Sequence, residues 1–335
     1  MQPHVERTPA ELREHFARLD APSLYNAESC SEFAAVIHRI RQLKVERNAV
    51  VLAHNYQRPE IFEVADFIGD SLELARQATG VTAEVIVFCG VHFMAETAKI
   101  LNPRKTVLLP DLRAGCSLAD SVTADELVAR QTELRKLYPD LMTVAYVNTT
   151  ADVKAVVDVC CTSSNAAKIV DALPTQHVLF VPDEHLGEYV QRETNKMVIS
   201  WNGNCYVHHQ ITPANIQAVK ESLPNLKVLV HPECRADVQA LADAVLSTSG
   251  MVKYAKESDA TDFLVVTECG LSDRLLIEVP EKNFYKSCKL CQFMKMITIE
   301  STQRALERME HEIVLDETVR AGAERSLRRM LEMSV

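Results

Sequence analysis

Three cysteines in the 335-residue chain stand at nearly equal intervals and could together hold a metal centre. Cys116, Cys205 and Cys291 are 89 and 86 residues apart. Three thiolates with one open position are typical of a Cys₃ zinc site or of a cubane iron–sulfur cluster whose fourth iron lacks a protein ligand. Zinc thiolate sites more often use close C-x₂₋₄-C pairs, and Cys288-x-x-Cys291 has no second pair to complete it. The spacing therefore favours the cluster and leaves zinc open. An open iron would act as a Lewis acid.

A His or Tyr side chain, called the ring of its unit below, precedes each of these cysteines. His54, Tyr146 and His231 lie near the ends of β-rich runs, and the cysteines follow them after 62, 59 and 60 residues. Sixteen residues after each ring comes a hydroxyl or carboxyl pair: Asp70-Ser71, Thr162-Ser163 and Ser247-Thr248. This common register predicts three related units, each of which contributes one ring, one pair and one cysteine.

The elements that must position these groups are short apolar strands and amphipathic helices in alternation. A second buried-strand run follows each ring, around Phe88, Phe180 and Val266, and residues 151–165 align without gaps to 236–250. Helical patterns occupy 59–69, 71–79, 123–137 and a segment from 165. The alternation predicts an α/β fold of parallel sheets with crossover helices.

The chain divides into five predicted segments with soft boundaries. They are N-terminal helices (1–45), three α/β/α units (46–125, 126–212 and 213–300) and a C-terminal helix (301–335). Pro-rich or Ser/Gly-rich linkers are missing, so we expect the three units to pack against one another.

In open parallel sheets, ligands bind beyond the carboxyl ends of the strands. The polar residues predicted at such ends are His54, Tyr56, Tyr146, Asn148, His231 and Glu233. If the three units surround a pseudo-threefold axis, these side chains and the three cysteines would converge on one central site.

Composition excludes several classes of function. No two of the nine glycines are closer than ten residues, so the sequence contains neither the glycine-rich dinucleotide-binding fingerprint nor a P-loop. The net charge of −10 without a Lys/Arg tract argues against nucleic acid and anionic membrane as partners. A charged N-terminus and the absence of an 18-residue apolar run predict a cytoplasmic protein whose ten cysteines are thiols, ligands or redox groups, not a disulfide framework.

Ten short motifs lie in a specific order between residues 53 and 300, most of the chain. They are AHNYQRPE (53–60), GDSLELA (69–75), CGVHFMAETAKILNP (89–103), LPDLRAGCSLAD (109–120), YVNTTADVKA (146–155), TSSNA (162–166), PDEHLGEYV (182–190), WNGNCYVHH (201–209), VHPEC (230–234) and CQFMKMITIE (291–300). Their order and spacing closely resemble those of the NadA-type quinolinate synthase family.

The resemblance implies a transferase of de novo NAD (pyridine nucleotide) biosynthesis. Such enzymes condense iminosuccinate (iminoaspartate) with dihydroxyacetone phosphate and release quinolinate, phosphate and two waters. The implied fold is a pseudo-threefold triangle of three homologous α/β/α domains around one [4Fe-4S] cluster per chain. A transient aspartate-oxidising partner enzyme would supply iminosuccinate.

By motif match, Cys116, Cys205 and Cys291 would be the three cluster ligands. The family commonly has proline after the third ligand, whereas Gln292 stands here, and this leaves Cys288 as a rival ligand. Cys288 could alternatively form a redox-sensitive disulfide with Cys291. The simplest interpretation of five further cysteines is that they are buried small hydrophobic residues: Cys89, Cys160, Cys161, Cys234 and Cys269.

The family's other roles carry over to positions that the repeat already singled out. Substrate contacts would come from His54, Ser71, Tyr146, Asn148, Ser163, His231, Glu233 and Thr248. Glu233 would be the main acid/base group beside His231, provided that its pKa lies near the working pH. Tyr56 would assist proton transfer, and His208 would close the site. Phosphate would be held by Ser71, Ser163 and helix N-terminal amides.

Two other functions use the same cysteines. A non-catalytic iron–sulfur sensor or electron carrier would need no array of polar strand-end side chains. A Cys₃ zinc hydrolase would differ in its metal, which elemental analysis identifies.

Overall fold

Twelve strands form three four-stranded parallel sheets in the computed structural model, which describes residues 5–19, 21–223 and 225–334. The first sheet contains β1 (Ala49–His54), β2 (Phe67–Gly69), β3 (Val85–Cys89) and β4 (Thr106–Leu108). The second contains β5 (Met142–Tyr146), β6 (Val159–Cys161), β7 (His177–Val181) and β8 (Met197–Ser200). The third contains β9 (Lys227–Val230), β10 (Ala244–Val245), β11 (Asp262–Val266) and β12 (Asn283–Lys286). The predicted α/β class with three parallel sheets is confirmed.

Sixteen α-helices accompany the sheets in the described part of the chain. They are α1 (Pro9–Phe16), α2 (Ala27–Glu46), α3 (Pro59–Phe62), α4 (Ser71–Gly80), α5 (His92–Leu101), α6 (Ala124–Leu137), α7 (Ala151–Ala155), α8 (Ala166–Ala172), α9 (Glu184–Glu193), α10 (Tyr206–His209), α11 (Pro213–Ser222), α12 (Ala236–Gln239), α13 (Thr248–Glu257), α14 (Cys269–Glu278), α15 (Ile299–Arg308) and α16 (Glu317–Met333). None of them is long and apolar enough to span a bilayer.

The three sheets repeat one topology. Their strand orders are β2-β1-β3-β4, β6-β5-β7-β8 and β10-β9-β11-β12, all parallel. The inner strands are buried; β1, for example, buries all six residues, as expected for a parallel sheet covered by helices on both faces. The first strand of each sheet therefore ends at an equivalent place, which is where the predicted rings occur.

One aspartate in each unit fixes the same strand crossover. The carboxylates of Asp66, Asp158 and Asp243 accept the backbone N–H groups of Val51, Thr143 and Val228 at 2.8, 2.8 and 2.9 Å. Each aspartate lies 15 residues after the residue whose N–H it accepts and 12 residues after the His or Tyr ring of its unit. This equivalence, which the sequence reasoning missed, supports the threefold repeat independently of the cysteines.

The predicted helix over 59–69 is wrong. Helix α3 ends at Phe62, and β2 pairs in register with Leu52–His54 of β1. The apolar residues at 64–68 fit both the helical and the strand periodicity, so pairing with the neighbouring strand β1 decided which structure formed. Tertiary contact overrode the local helical pattern.

The single predicted C-terminal helix over 301–335 is also wrong, because the chain forms α15 and α16 there. Met309 adopts a left-handed conformation (φ 51°) after α15, and Glu312 forms a backbone bridge with Leu108. Asp316 then caps α16. The predicted boundaries of the five segments stay a prediction, and residues 1–4, 20 and 335 of the terminal segments lie outside the described residues.

Two helices, α1 and α2, precede the first strand. Arg7 and His15 connect the N-terminal segment to the first unit, because both contact the carboxylate of Glu63, at 2.5 and 3.2 Å. Burial opposes ionisation of Glu63, but His15 and Arg7 outweigh it and lower the pKa of this carboxyl.

Candidate active site

One cavity lies at the carboxyl ends of the three sheets. All thirteen residues singled out from the sequence line it: His54, Tyr56, Ser71, Cys116, Tyr146, Asn148, Ser163, Cys205, His208, His231, Glu233, Thr248 and Cys291. Each unit contributes side chains to the wall. The repeated register therefore corresponds to convergence in space.

Glu233 is a buried carboxylate in contact with groups from the second unit. Its Oε1 accepts the hydroxyl proton of Tyr146 at 2.5 Å, and its Oε2 lies 2.9 Å from Nδ1 of His208, a close charge contact without hydrogen-bond alignment. Burial opposes ionisation, yet His208, His231 and Tyr146 together lower the pKa of Glu233. The sequence made the acid/base role conditional on a pKa near the working pH. In the structure the pKa of Glu233 is lowered instead, so this condition is not met, and Glu233 is an ionised carboxylate that accepts a proton less readily than an ordinary one.

His54 and His231 share one local geometry, which fixes their tautomer. The Nδ1 atom of each ring accepts the backbone N–H two residues later, from Tyr56 at 3.2 Å and from Glu233 at 3.4 Å. A neutral ring whose Nδ1 accepts carries its proton on Nε2. Burial lowers the pKa of each to about 3, so both rings stay neutral and can offer an Nε2–H donor to a substrate.

A chain of hydroxyls and rings connects the first unit to Glu233. The hydroxyl groups of Tyr56 and Thr267 are 2.6 Å apart, and the Thr267 hydroxyl lies 2.9 Å from Nε2 of His208. His208 in turn contacts Glu233 through its other nitrogen. His208 also stacks on His231, with ring centroids 4.7 Å apart. The hydrogen-bonded chain therefore runs from Tyr56 to His208, and the last step, from His208 to Glu233, is an electrostatic contact.

The hydroxyl pairs lie where helices begin. Asp70 caps α4, and Ser247 caps α13, so that Ser71 and Thr248 are the first residues of these helices. Ser247 donates to the carboxylate of Asp70 at 3.1 Å, which joins the first and third units. Ser163 approaches the cavity just before α8. Helix N-termini with nearby hydroxyls are suited to bind phosphate.

Asn148 carries an unused hydrogen-bonding atom. Its Oδ1 is buried without a partner, although the residue lines the cavity. A buried polar atom without a partner is costly unless a ligand or water satisfies it. Asn148 is therefore available to contact a substrate.

The three cavity thiols are unpaired, and backbone N–H groups point at each sulfur. The donors are Leu118 and Ala119 at Cys116, His208 at Cys205, and Phe293 and Met294 at Cys291. Burial raises the pKa of all three thiols, that of Cys116 to about 12. Such a set becomes thiolate when a metal centre compensates the charge. The residues present fit a thiolate-bound metal centre.

Cys288 is neither a free thiol nor a partner of Cys291. It forms a disulfide with Cys269, 19 residues earlier. The expectation that Cys269 is an unpaired residue and the pairing of Cys288 with Cys291 are both wrong. Cys291 alone of the rival pair reaches the cavity.

Gln292 makes a contact that the usual proline could not make. Its backbone N–H donates to the hydroxyl oxygen of Tyr206 at 2.9 Å. Because proline lacks this N–H, the substitution adds a tie between the Cys291 loop and α10.

Sequence reasoning missed two buried carboxylates close to the cavity, Asp183 and Glu268. A signal existed: VPD at 181–183 and VTE at 266–268 follow equivalent strands of two units and cap the next helix. Thr267, which connects Tyr56 to His208, belongs to the same motif.

Comparison with known proteins identifies similar chains. The family model described as "Quinolinate synthetase A protein" matches residues 38–332. A quinolinate synthase of Sinorhizobium medicae is 46% identical over 99% of this chain and 92% of its own length. Quinolinate synthases of Xylella fastidiosa and Dehalococcoides mccartyi are 49% and 50% identical over 88% and 89% of this chain, covering 86% and 98% of their own lengths.

Proposed function

This chain belongs to the quinolinate synthetase A family, and on that premise we propose that it is a quinolinate synthase of de novo NAD biosynthesis. It condenses iminosuccinate with dihydroxyacetone phosphate and releases quinolinate, phosphate and two waters. The observation that carries the proposal is the single cavity in which strand-end side chains of three repeated units surround three unpaired thiols. A sensor or electron carrier would not require these strand-end groups.

We propose that Cys116, Cys205 and Cys291 hold a [4Fe-4S] cluster. A tetrahedral zinc ion with bonds of about 2.3 Å would bring its sulfur ligands to about 3.8 Å from one another. The three sulfur atoms do not all lie within 4.8 Å of one another, which supports a larger centre than a single ion. When bound, the cluster would supply an open iron that acts as a Lewis acid toward a substrate oxygen.

The anionic substrates would be held by neutral donors. Among the described residues, neither lysine nor arginine lines the cavity. The Nε2–H groups of His54 and His231 can donate to a carboxylate or carbonyl oxygen, and Asn148 can donate through its amide. Ser71, Ser163 and the helix N-termini nearby can hold the phosphate.

Glu233 would act as the general base. Because the carboxylate is ionised and buried, its Oε1 and Oε2 can accept a proton from a substrate carbon during enolisation. The hydroxyl of Tyr146 holds a proton 2.5 Å from Oε1, and the chain from Tyr56 through Thr267 and His208 ends at Oε2. Tyr146 can return a proton to a leaving hydroxyl in the dehydration steps, while His208 acts on Oε2 through its electrostatic contact.

The test is quinolinate formation by anaerobically purified protein given both substrates. The wild type should form quinolinate and release one phosphate for each product molecule. Cys205→Ser should abolish turnover, because it removes a proposed ligand, whereas Cys30→Ser, at a buried cysteine outside the cavity, should keep it. Quinolinate formation by Cys205→Ser at the wild-type rate would refute the assignment of the thiols.

A cytoplasmic location and a transient aspartate-oxidising partner complete the proposal. Eight described cysteines are unpaired, which favours a reducing compartment. Imines hydrolyse in water, so a nearby enzyme that oxidises aspartate would supply iminosuccinate efficiently. Adding such an enzyme and aspartate in place of the imine should sustain quinolinate formation.

A further inference from the structure

Glu268 is a buried carboxylate that contacts the loop of the third proposed ligand. It is fully buried and caps α14: its Oε2 accepts the N–H of Gly270 at 2.7 Å. Its Oε1 accepts the N–H of Cys291 at 3.1 Å. Glu268 also forms a backbone β-bridge with Lys289, which stands two residues before Cys291. One side chain therefore fixes both a helix start and the backbone of Cys291.

The second unit repeats this construction at Asp183. This residue is also fully buried and caps α9, since its Oδ1 accepts the N–H of Leu186 at 2.7 Å. A backbone bridge joins it to Gly203, again two residues before the ligand cysteine. The Cys205 amide faces the carboxylate, although its second oxygen does not reach hydrogen-bond geometry.

The two constructions occupy equivalent positions. Asp183 and Glu268 stand two residues after β7 and β11, and their cysteines follow after 22 and 23 residues. The equivalent position after β3 is Val91, which makes no side-chain cap. A helix cap alone needs one carboxylate oxygen and no contact with a thiol loop. Recurrence in two units next to two ligands indicates a function beyond capping.

Lys295 holds the carboxylate of Glu268 in place. Its Nζ lies 3.3 Å from Oε1 and donates to the backbone carbonyl of Tyr56 in the first unit. A side chain at position 270 would approach this carbonyl oxygen and Nζ to 2.6 Å, so only glycine allows the close approach. The Cys291 loop is thereby tied to Tyr56 in the first unit.

We propose that Asp183 and Glu268 are positioning residues that set the backbone of Cys205 and Cys291 for metal-centre binding. The proposal rests on the function proposed above, in which these cysteines are ligands. Hydrogen bonds to the residues that carry metal ligands commonly change metal affinity by about 10- to 100-fold when removed. The two carboxylates would therefore control how long the centre is retained.

The test measures iron content and the rate of iron release to a chelator after anaerobic reconstitution. Glu268→Ala, which removes the bond to the Cys291 N–H, should release iron about 10- to 100-fold faster than the wild type. Asp183→Ala should also speed release. Glu268→Gln keeps an acceptor for the Cys291 N–H and should restore slow release. Asp316→Ala removes the cap of α16, a helix that contributes no residue to the cavity, and should lower the melting temperature without changing the release rate.

Two results overturn the inference. Release from Glu268→Ala at the wild-type rate would do so, as would equal release from the alanine and glutamine variants. If an alanine variant does not fold, amide hydrogen exchange of the wild-type holoenzyme decides: the Cys291 N–H should be protected, and free exchange refutes its hydrogen bond to Glu268. Absence of iron from the wild type would instead refute the proposed function, so the two failures are distinguishable.

Discussion

Replacing Glu233 by glutamine tests the proposed base with the smallest change of shape. The amide cannot take a proton from a carbon acid. Its NH₂ group must also replace one carboxylate oxygen, either the one 2.5 Å from the Tyr146 hydroxyl or the one 2.9 Å from Nδ1 of His208. A positioned base contributes about 10²- to 10⁴-fold to rate, or about 3–5 kcal/mol of barrier. We expect Glu233→Gln to lose turnover in that range.

The assay is quinolinate formation at saturating substrates, with iron content measured on the same samples. Iron content should match that of the wild type, because Glu233 is not one of the three thiol ligands. Glu307→Gln, an exposed glutamate on α15 in contact with Arg39, is the matched control and should keep full turnover. Unchanged turnover in Glu233→Gln would remove this residue from the mechanism, whereas loss of iron would mean that it supports the metal centre.

Three further changes test separate parts of the structure. Cys288→Ser opens the loop closed with Cys269, and urea unfolding of cluster-free protein should show a loss of about 3 kcal/mol relative to the oxidised wild type; no loss would mean that the disulfide is absent. Gln292→Pro removes the N–H bonded to Tyr206 and should speed iron release; unaltered release would make that contact unimportant. The pKa of Glu63 is lower in the folded than in the unfolded protein. The ionised carboxylate therefore stabilises the fold at neutral pH, and this contribution is lost as the pH falls below the unfolded pKa. Glu63→Gln should lower the free energy of unfolding at pH 7 and flatten the acid limb of a pH–stability curve.

The sequence predicted the convergence of the site's side chains on one cavity better than it predicted the local elements around them. His54, Tyr146 and His231 stand at nearly equal intervals from the later cysteines, and a repeated topology turns equivalent sequence positions into equivalent spatial positions. The carboxyl-end rule then brings the rings to one cavity. By contrast, the helix predicted over 59–69 failed because β2 gains its stability from β1, a partner that no local window contains.

The disulfide and the two buried carboxylates show different limits. Cysteine spacing does not determine connectivity, so the pairing of Cys288 with Cys269 required the fold. Asp183 and Glu268 were detectable as a repeated V-x-[DE] motif, but the pattern carries no indication that each contacts a thiol loop. Their burial, the backbone bridges two residues before each cysteine and the bond from the Cys291 N–H to Glu268 supplied that meaning.

Native mass spectrometry of anaerobically purified protein tests the central claim most directly. If Cys116, Cys205 and Cys291 together hold a cubane cluster, the spectrum should show about four irons and four sulfides for each chain. The added mass should disappear when any one of these cysteines is replaced by serine. A single zinc ion, or an active chain without metal, would contradict the account.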